Sequence, residues 1–205
     1  MNFSNKLADK KTINITIANL KTNGIDAIFA ENREEAKEKA LSLIPKEKEV
    51  MTMTSVTLDA LGITEEINTS GKYPHAVKPQ LMKMDRNTQS LAMKKLGAAP
   101  EYAIGSVHAV TEQGNVLIAS NTGSQLSAYV YGSPHVIWVV GAQKIVKDTE
   151  EGIKRIYDYV LPLESERAHK AYGTSGSFVS KLLIINKEVT PHRTTMIIVN
   201  EALGY

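Results

Sequence analysis

The sequence predicts an α/β fold, a mostly parallel sheet flanked by helices with added β-hairpins. Short apolar runs alternate with segments of helical period along most of the chain. The run "HVIWVV" is apolar without alternation, as expected of a strand covered on both faces. Small hydroxyl residues follow "EVMTM" and "NVLIA", where helices would start at the carboxyl ends of strands.

Residues 5–22 space Leu7, Ile13, Ile17 and Leu20 as an opening amphipathic helix, closed by Gly24 in "TNG". "IDAIFA" reads as a strand. "ENREEAKEKALSLIP" reads as a helix with Asn32 as N-cap, Glu35 completing a capping box and Pro45 beyond its end. With "EVMTM" these complete a βαβ unit, and Thr54, Ser55 and Thr57 open the next helix. "GKYPHAVKPQ" carries two prolines and is expected to be a loop, whereas "DRNTQSLAMKKLGA" is a helix closed by Gly97. "EYAIGSVHAVTEQGNVLIAS" reads as two strands joined at "EQGN", with Gly114 free to take a positive φ. "SNTGSQLSAYVYG" is a polar loop leading into a short helix. "DTEEGIKRIYDYVL" pairs Asp148 with Glu151 at a helix start and sets Ile153, Ile156, Tyr157 and Val160 on one face. The last 25 residues, "KLLIINKEVTPHRTTMIIVNEALGY", supply two β-rich runs around a turn, so hairpins are expected near 112 and 188.

A chain of 205 residues, 42% of them hydrophobic, can bury a core and suits a single domain over 1–205 with the helix at 5–22 packed on it. Twenty-four Lys and Arg against 22 Asp and Glu leave a charge of +2, which argues against nucleic acid as a partner. With no cysteine there is no disulfide, no thiolate metal site and no cysteine-ligated iron–sulfur cluster in this chain, and no intrinsic cofactor is expected. The charged N-terminal stretch lacks a signal-peptide apolar core and no apolar run is long enough to span a bilayer, so a cytoplasmic location is expected.

The loop Ser120, Asn121, Thr122, Gly123, Ser124 and Gln125 combines small size with polarity, which suits close approach of an anion. It matches neither a Walker A loop nor a dinucleotide fingerprint, and a capped turn explains its residues equally well. Glu112 stands at a strand end, either as an acid or base or as a solvated turn residue. Arg193 suits a bidentate carboxylate grip, and the lysines and arginine of 72–95 offer charge to a cleft or simply a solvated face. The five histidines are scattered, and no metal site is expected; His108 reads as either a pocket residue or a satisfied sheet residue.

Taken together, "EYAIGSVHAVTEQGNVLIASNTGSQ", "HVIWVVGAQKIVKDTEEGIKRI" and "RTTMIIVNEALGY" resemble the LUD family, named for lactate utilization. The resemblance implies a Rossmann-like fold similar to ribose-5-phosphate isomerase, glucosamine-phosphate deaminase and CoA transferases, with ligands at the carboxyl edge of the sheet. The family's Ala/Thr-Glu-Thr-Gly run corresponds to Thr111, Glu112, Gln113 and Gly114, where Gln113 departs from the pattern. What the resemblance implies is a role in lactate or related organic-acid utilization. A small anionic metabolite would be held by Thr54, Ser55, residues 120–125 and Arg193, with Glu112 as the catalytic or anchoring acid. Iron–sulfur subunits of a lactate-oxidising complex are the partners it implies, and a homo-oligomer is compatible with it. The alternatives are a stand-alone sugar-phosphate isomerase, CoA transferase or folate cyclo-ligase relative, and a non-catalytic assembly subunit.

Overall fold

Five strands of the computed structural model, which describes residues 6–205, form one parallel sheet in the order β1-β9-β6-β3-β2. These are β1 Asp26–Ala30, β2 Val50–Thr52, β3 Tyr102–Gly105, β6 His135–Gly141 and β9 Thr194–Val199. β6 is central, with Trp138 level with Met196 of β9 and Gly105 of β3. Its side chains alternate between two cores. Val136, Trp138 and Val140 pack with Ile13 and Leu20, whereas Ile137 and Val139 pack with Ala36, Ala40, Leu58 and Ile67. Burial on both faces is what an apolar run without alternation requires.

A second sheet has the order β7-β4-β5-β8, from β4 Ala109–Thr111, β5 Val116–Ser120, β7 Ile145–Val146 and β8 Lys181–Ile185. One of its faces joins the core under Trp138 through Val110, Val116 and Ile118. The other, with Ala109 and Leu117, packs against Ile153 and Ile156. The apolar stretch read as one strand before "EQGN" therefore divides: 102–105 pairs in the first sheet and 109–111 in the second. Ser106, Val107 and His108 make the crossing.

Helices α1 Lys10–Thr22 and α2 Arg33–Ser42 follow the sequence closely. Asp9 caps α1 by accepting from Thr12 N at 2.7 Å; residue 5, the expected start, lies outside the described residues. Asn32 caps α2, but the Glu35 carboxylate accepts the N–H of Glu31 rather than that of the cap residue. Gly24 has φ +81, and a Cβ there would sit 2.0 Å from the Glu188 carbonyl oxygen.

Between β2 and β3 lie α3 Val56–Ala60, α4 Ile63–Thr69, α5 Val77–Met82 and α6 Ser90–Ala98. The expected loop 71–80 in fact enters α5, because Pro79 falls in the first turn, where its missing N–H costs nothing. Gly97 lies inside α6 rather than closing it.

α7 Thr149–Arg155 runs through a wide π turn at 156–160 into α8 Leu161–Tyr172, and Gly173 closes the helix at φ +65. The wide turn coincides with Pro162, which has no N–H to return to the preceding turn. It shifts the buried face to Gly152, Arg155, Ile156 and Val160 and leaves Tyr157 47% exposed, off the expected stripe. The hairpin expected near 112 forms between β4 and β5. That near 188 does not: β8 pairs with β5 and β9 with β1 and β6. The turn is tied instead to the end of α1, with Glu188 N–H donating to Asn23 O.

Candidate functional site

The carboxyl ends of β2, β3 and β6 open into a cleft of about 1130 Å³. Open α/β sheets expose loops and free backbone groups at this edge. Thr54 and Ser55 line it, and Ser55 caps α3 by accepting from Leu58 N at 3.3 Å. All six residues of the 120–125 loop line it as well. That loop is largely self-contained: Gly123 N–H donates to Ser120 Oγ at 2.9 Å, Ser124 N–H to Thr122 Oγ1 at 3.3 Å, and Gln125 Nε2 to Ala119 O at 3.2 Å. Gly123 has φ +86, and Lys181 crowds the side its Cβ would fill.

Two expected residues are not brought to the cleft. Glu112 is not among the lining residues; it belongs to the β4–β5 turn, whose backbone bonds Val146 O and Asn19 Nδ2, so that the turn is sewn to α1. Arg193 is 8% exposed and spends its donors internally, on Ser133 O, Ala128 O, Tyr129 O and the Glu188 carboxylate. No guanidinium face is left for a ligand.

The floor is built around Lys144, with Arg155 near it but not among the lining residues, and periodicity singled out neither. Lys144 follows β6 and is 2% exposed. Its Nζ donates to Thr57 Oγ1 at 3.0 Å, Ser106 Oγ at 3.1 Å and Val107 O at 3.2 Å. Burial, reinforced by the Arg155 charge, pulls its ammonium down to about 7. Arg155, 1% exposed, donates Nη1 to His108 O at 2.5 Å and lies 5.2 Å from the centre of the Tyr159 ring. Its Nη2 has no acceptor among the described residues, and burial lowers it to about 10. The carbonyls of Val107 and His108, adjacent in the crossing between the two sheets, thus hold two cations side by side.

His108 accepts from Ala119 N at 3.1 Å through Nδ1, which puts the ring proton on Nε2. Burial, with Lys144 and Arg155 nearby, depresses it to about 3, so the ring is neutral. Across the cleft, Glu164 takes a bidentate pair of 2.7 Å bonds from Arg167 and one of 2.6 Å from the Tyr205 hydroxyl. Burial opposes ionisation of Glu164, but these hydrogen bonds prevail and its pKa is lowered. Arg86 and Lys94 of the basic 72–95 stretch reach the rim, as do Thr174, Ser177 and Phe178. The one sequence signal for Lys144 was a lone charge inside "VVGAQKIV". Arg155 gave none.

No group of three or more potential metal-binding side chains occurs among the described residues. No helix there is long and apolar enough to cross a membrane.

Parallel strands covered on both faces, with a cleft at their carboxyl edge, define an α/β protein of the Rossmann-like class. The LUD domain model matches residues 13–199, and the chain belongs to the LUD domain family. Membership ties it in general terms to lactate utilization, for which the family is named. The fold is similar to the crystal structure of a DUF162 family protein from Deinococcus radiodurans, at TM-score 0.57 and 12% identity, covering 95% of this chain and 100% of that one. At that identity the likeness concerns the fold alone. No curated protein matches the sequence significantly.

Proposed function

We propose that this LUD-domain protein serves the utilization of lactate or a related organic acid by binding a small anion on the floor of the cleft. The observation that carries the reading is the cleft-lining Lys144, buried with the Arg155 charge near it though Arg155 does not itself line the cleft, and neither cation has a carboxylate partner among the described residues. A buried cation without a counter-ion costs several kcal/mol. An entering anion relieves that cost, while neutral His108 and the Ser106 hydroxyl offer hydrogen bonds to its polar groups. Oxidation of the acid through a cysteine-ligated iron–sulfur cluster would fall to a partner subunit, since this chain has no cysteine to hold one.

A second reading is favoured by size. A cleft of about 1130 Å³ exceeds what a three-carbon acid needs and suits a larger anion, such as a sugar phosphate, CoA thioester or folate, with Arg86 and Lys94 holding its distal end.

Isothermal titration calorimetry against lactate, pyruvate, sugar phosphates, CoA thioesters and folates tests both readings, with Lys144→Met as comparison. The first expects three-carbon acids to bind and the variant to weaken them about tenfold or more, since a single charged hydrogen bond contributes on the order of 1.5–3 kcal/mol. Binding of only the larger anions would select the second. Heat from none of these compounds would overturn both.

A further inference from the structure

We infer that Lys144 is the attachment point for an organic anion bearing a ketone or aldehyde, held as an imine on Nζ; the inference rests on the anion site proposed above and names its substrate class. Three features of the floor support it. The first is position: Lys144 lines the cleft beside Ser106, which keeps partial exposure, while Thr57 and Val107 on its other side are buried.

The second is the hydrogen-bond inventory. Thr57 gives its own proton to Leu203 O at 3.1 Å, so toward Nζ it only accepts, and the Val107 carbonyl can only accept. A neutral amine satisfies both with its two N–H groups. Ser106 is different, because its acceptor, Val107 O, stands at 3.5 Å, the limit of a hydrogen bond. Its hydroxyl is therefore free to turn: it can meet the amine lone pair, and when it turns away it leaves that lone pair open on the side of its partly exposed partner.

The third is charge. Arg155 is fixed on the carbonyl next to the one that holds Lys144; of the two carboxylates lining the cleft, Glu164 is committed to Arg167 and Tyr205, and Asp59 makes no ion pair with Lys144. With no carboxylate to retain its proton and a second cation beside it, this lysine supplies free amine near neutrality, in accord with its pKa of about 7.

In the step itself, the Nζ lone pair forms a bond to the carbonyl carbon while the C=O π electrons move to oxygen. That oxygen takes up the proton leaving nitrogen, relayed by Ser106 Oγ, to give the carbinolamine. The remaining N–H proton then passes by way of Ser106 Oγ to the carbinolamine hydroxyl, the C–O bond breaks with departure of water, and the nitrogen electron pair closes the C=N bond. Amine and carbonyl have become imine and water, with no oxidant or reductant consumed. Ser106 acts here as a positioning and proton-relaying residue.

The test is reductive trapping. The purified full chain is incubated with pyruvate or glyoxylate and sodium cyanoborohydride, then analysed by intact mass and peptide mapping. The expected result is one equivalent of label on the peptide containing Lys144, protection by excess lactate, and trapping slowed about tenfold or more in Ser106→Ala. Lys147→Arg, at an exposed position, should label like the wild type. Label scattered over exposed lysines overturns the inference, as does an unlabelled Lys144 in protein that still binds pyruvate by calorimetry. In that last case the anion site stands and only the imine falls, whereas loss of binding and label together removes both. Lys144→Arg should abolish the adduct; should it fail to fold, the wild-type peptide map alone decides.

Discussion

Replacing Lys144 by Met exposes the energetic consequence of burying an ammonium group. In the folded chain Lys144 titrates near 7, against about 10.5 when exposed. Below pH 7 both folded and unfolded chains carry the proton, and the wild type bears the whole penalty of the buried charge. Between these two values the unfolded chain holds more protons than the folded one, so wild-type stability must rise with pH, by about 1.4 kcal/mol per pH unit. The usable window is about pH 7 to 9, worth roughly 3 kcal/mol, because nearer 10.5 the lysine of the unfolded chain begins to lose its own proton. His108, already neutral, adds nothing there. Met fills a similar volume but abandons Thr57, Ser106 and Val107 O, a loss of about 1–3 kcal/mol that does not vary with pH. Urea denaturation of both proteins from pH 6.5 to 9 measures the difference directly, and other titrating groups cancel between them. The variant should be relatively most stable at the acid end, and its advantage should shrink by about 3 kcal/mol by the alkaline end. A difference constant across the window would refute the assignment of a depressed lysine.

Arg193→Ala should cost on the order of 3–5 kcal/mol by leaving Glu188 and three carbonyls without their donor. Calorimetry of the folded fraction should still give wild-type affinity, because the residue is outside the cleft. Glu112→Gln should alter neither stability, by more than about 0.5 kcal/mol, nor ligand affinity, a result thermal shift reads in one experiment. Gly105→Ala would put a Cβ 1.8 Å from the Tyr129 hydroxyl oxygen and should destabilise by about 3 kcal/mol or more. Adding Tyr129→Phe removes that atom and should restore part of the loss in urea denaturation.

The alternation of apolar runs and helical periods made the sheet and its outer helices legible, and "HVIWVV" marked the central strand. What stayed hidden depends on contacts distant in sequence. Nothing local tells 102–105 from 109–111, since both are apolar and β-prone; their division depends on which partners each pairs with. The same holds for β8 and β9, which look like a hairpin but are claimed by different sheets. At the site, Thr54, Ser55 and the 120–125 loop were legible because small polar residues after a strand have local meaning. Glu112 and Arg193 fitted a ligand by residue type, and the structure ties Arg193 and the Glu112 turn into the framework. Lys144 and Arg155 are the reverse case, charges whose burial is decided entirely by tertiary packing.

Each of the two cations has a main-chain oxygen among its acceptors, Val107 O for Lys144 and His108 O for Arg155. Amino-acid replacement at those two positions leaves the oxygens where they are, so a saturation scan of 107 and 108 would register shape and packing while remaining blind to the feature that matters. Editing the backbone itself, by an ester in place of the amide that follows Val107 or His108, would weaken the acceptor directly. This part of the electrostatic seat is therefore inherited through chain path rather than through residue identity, in contrast to the parts supplied by the Thr57, Ser106 and His108 side chains.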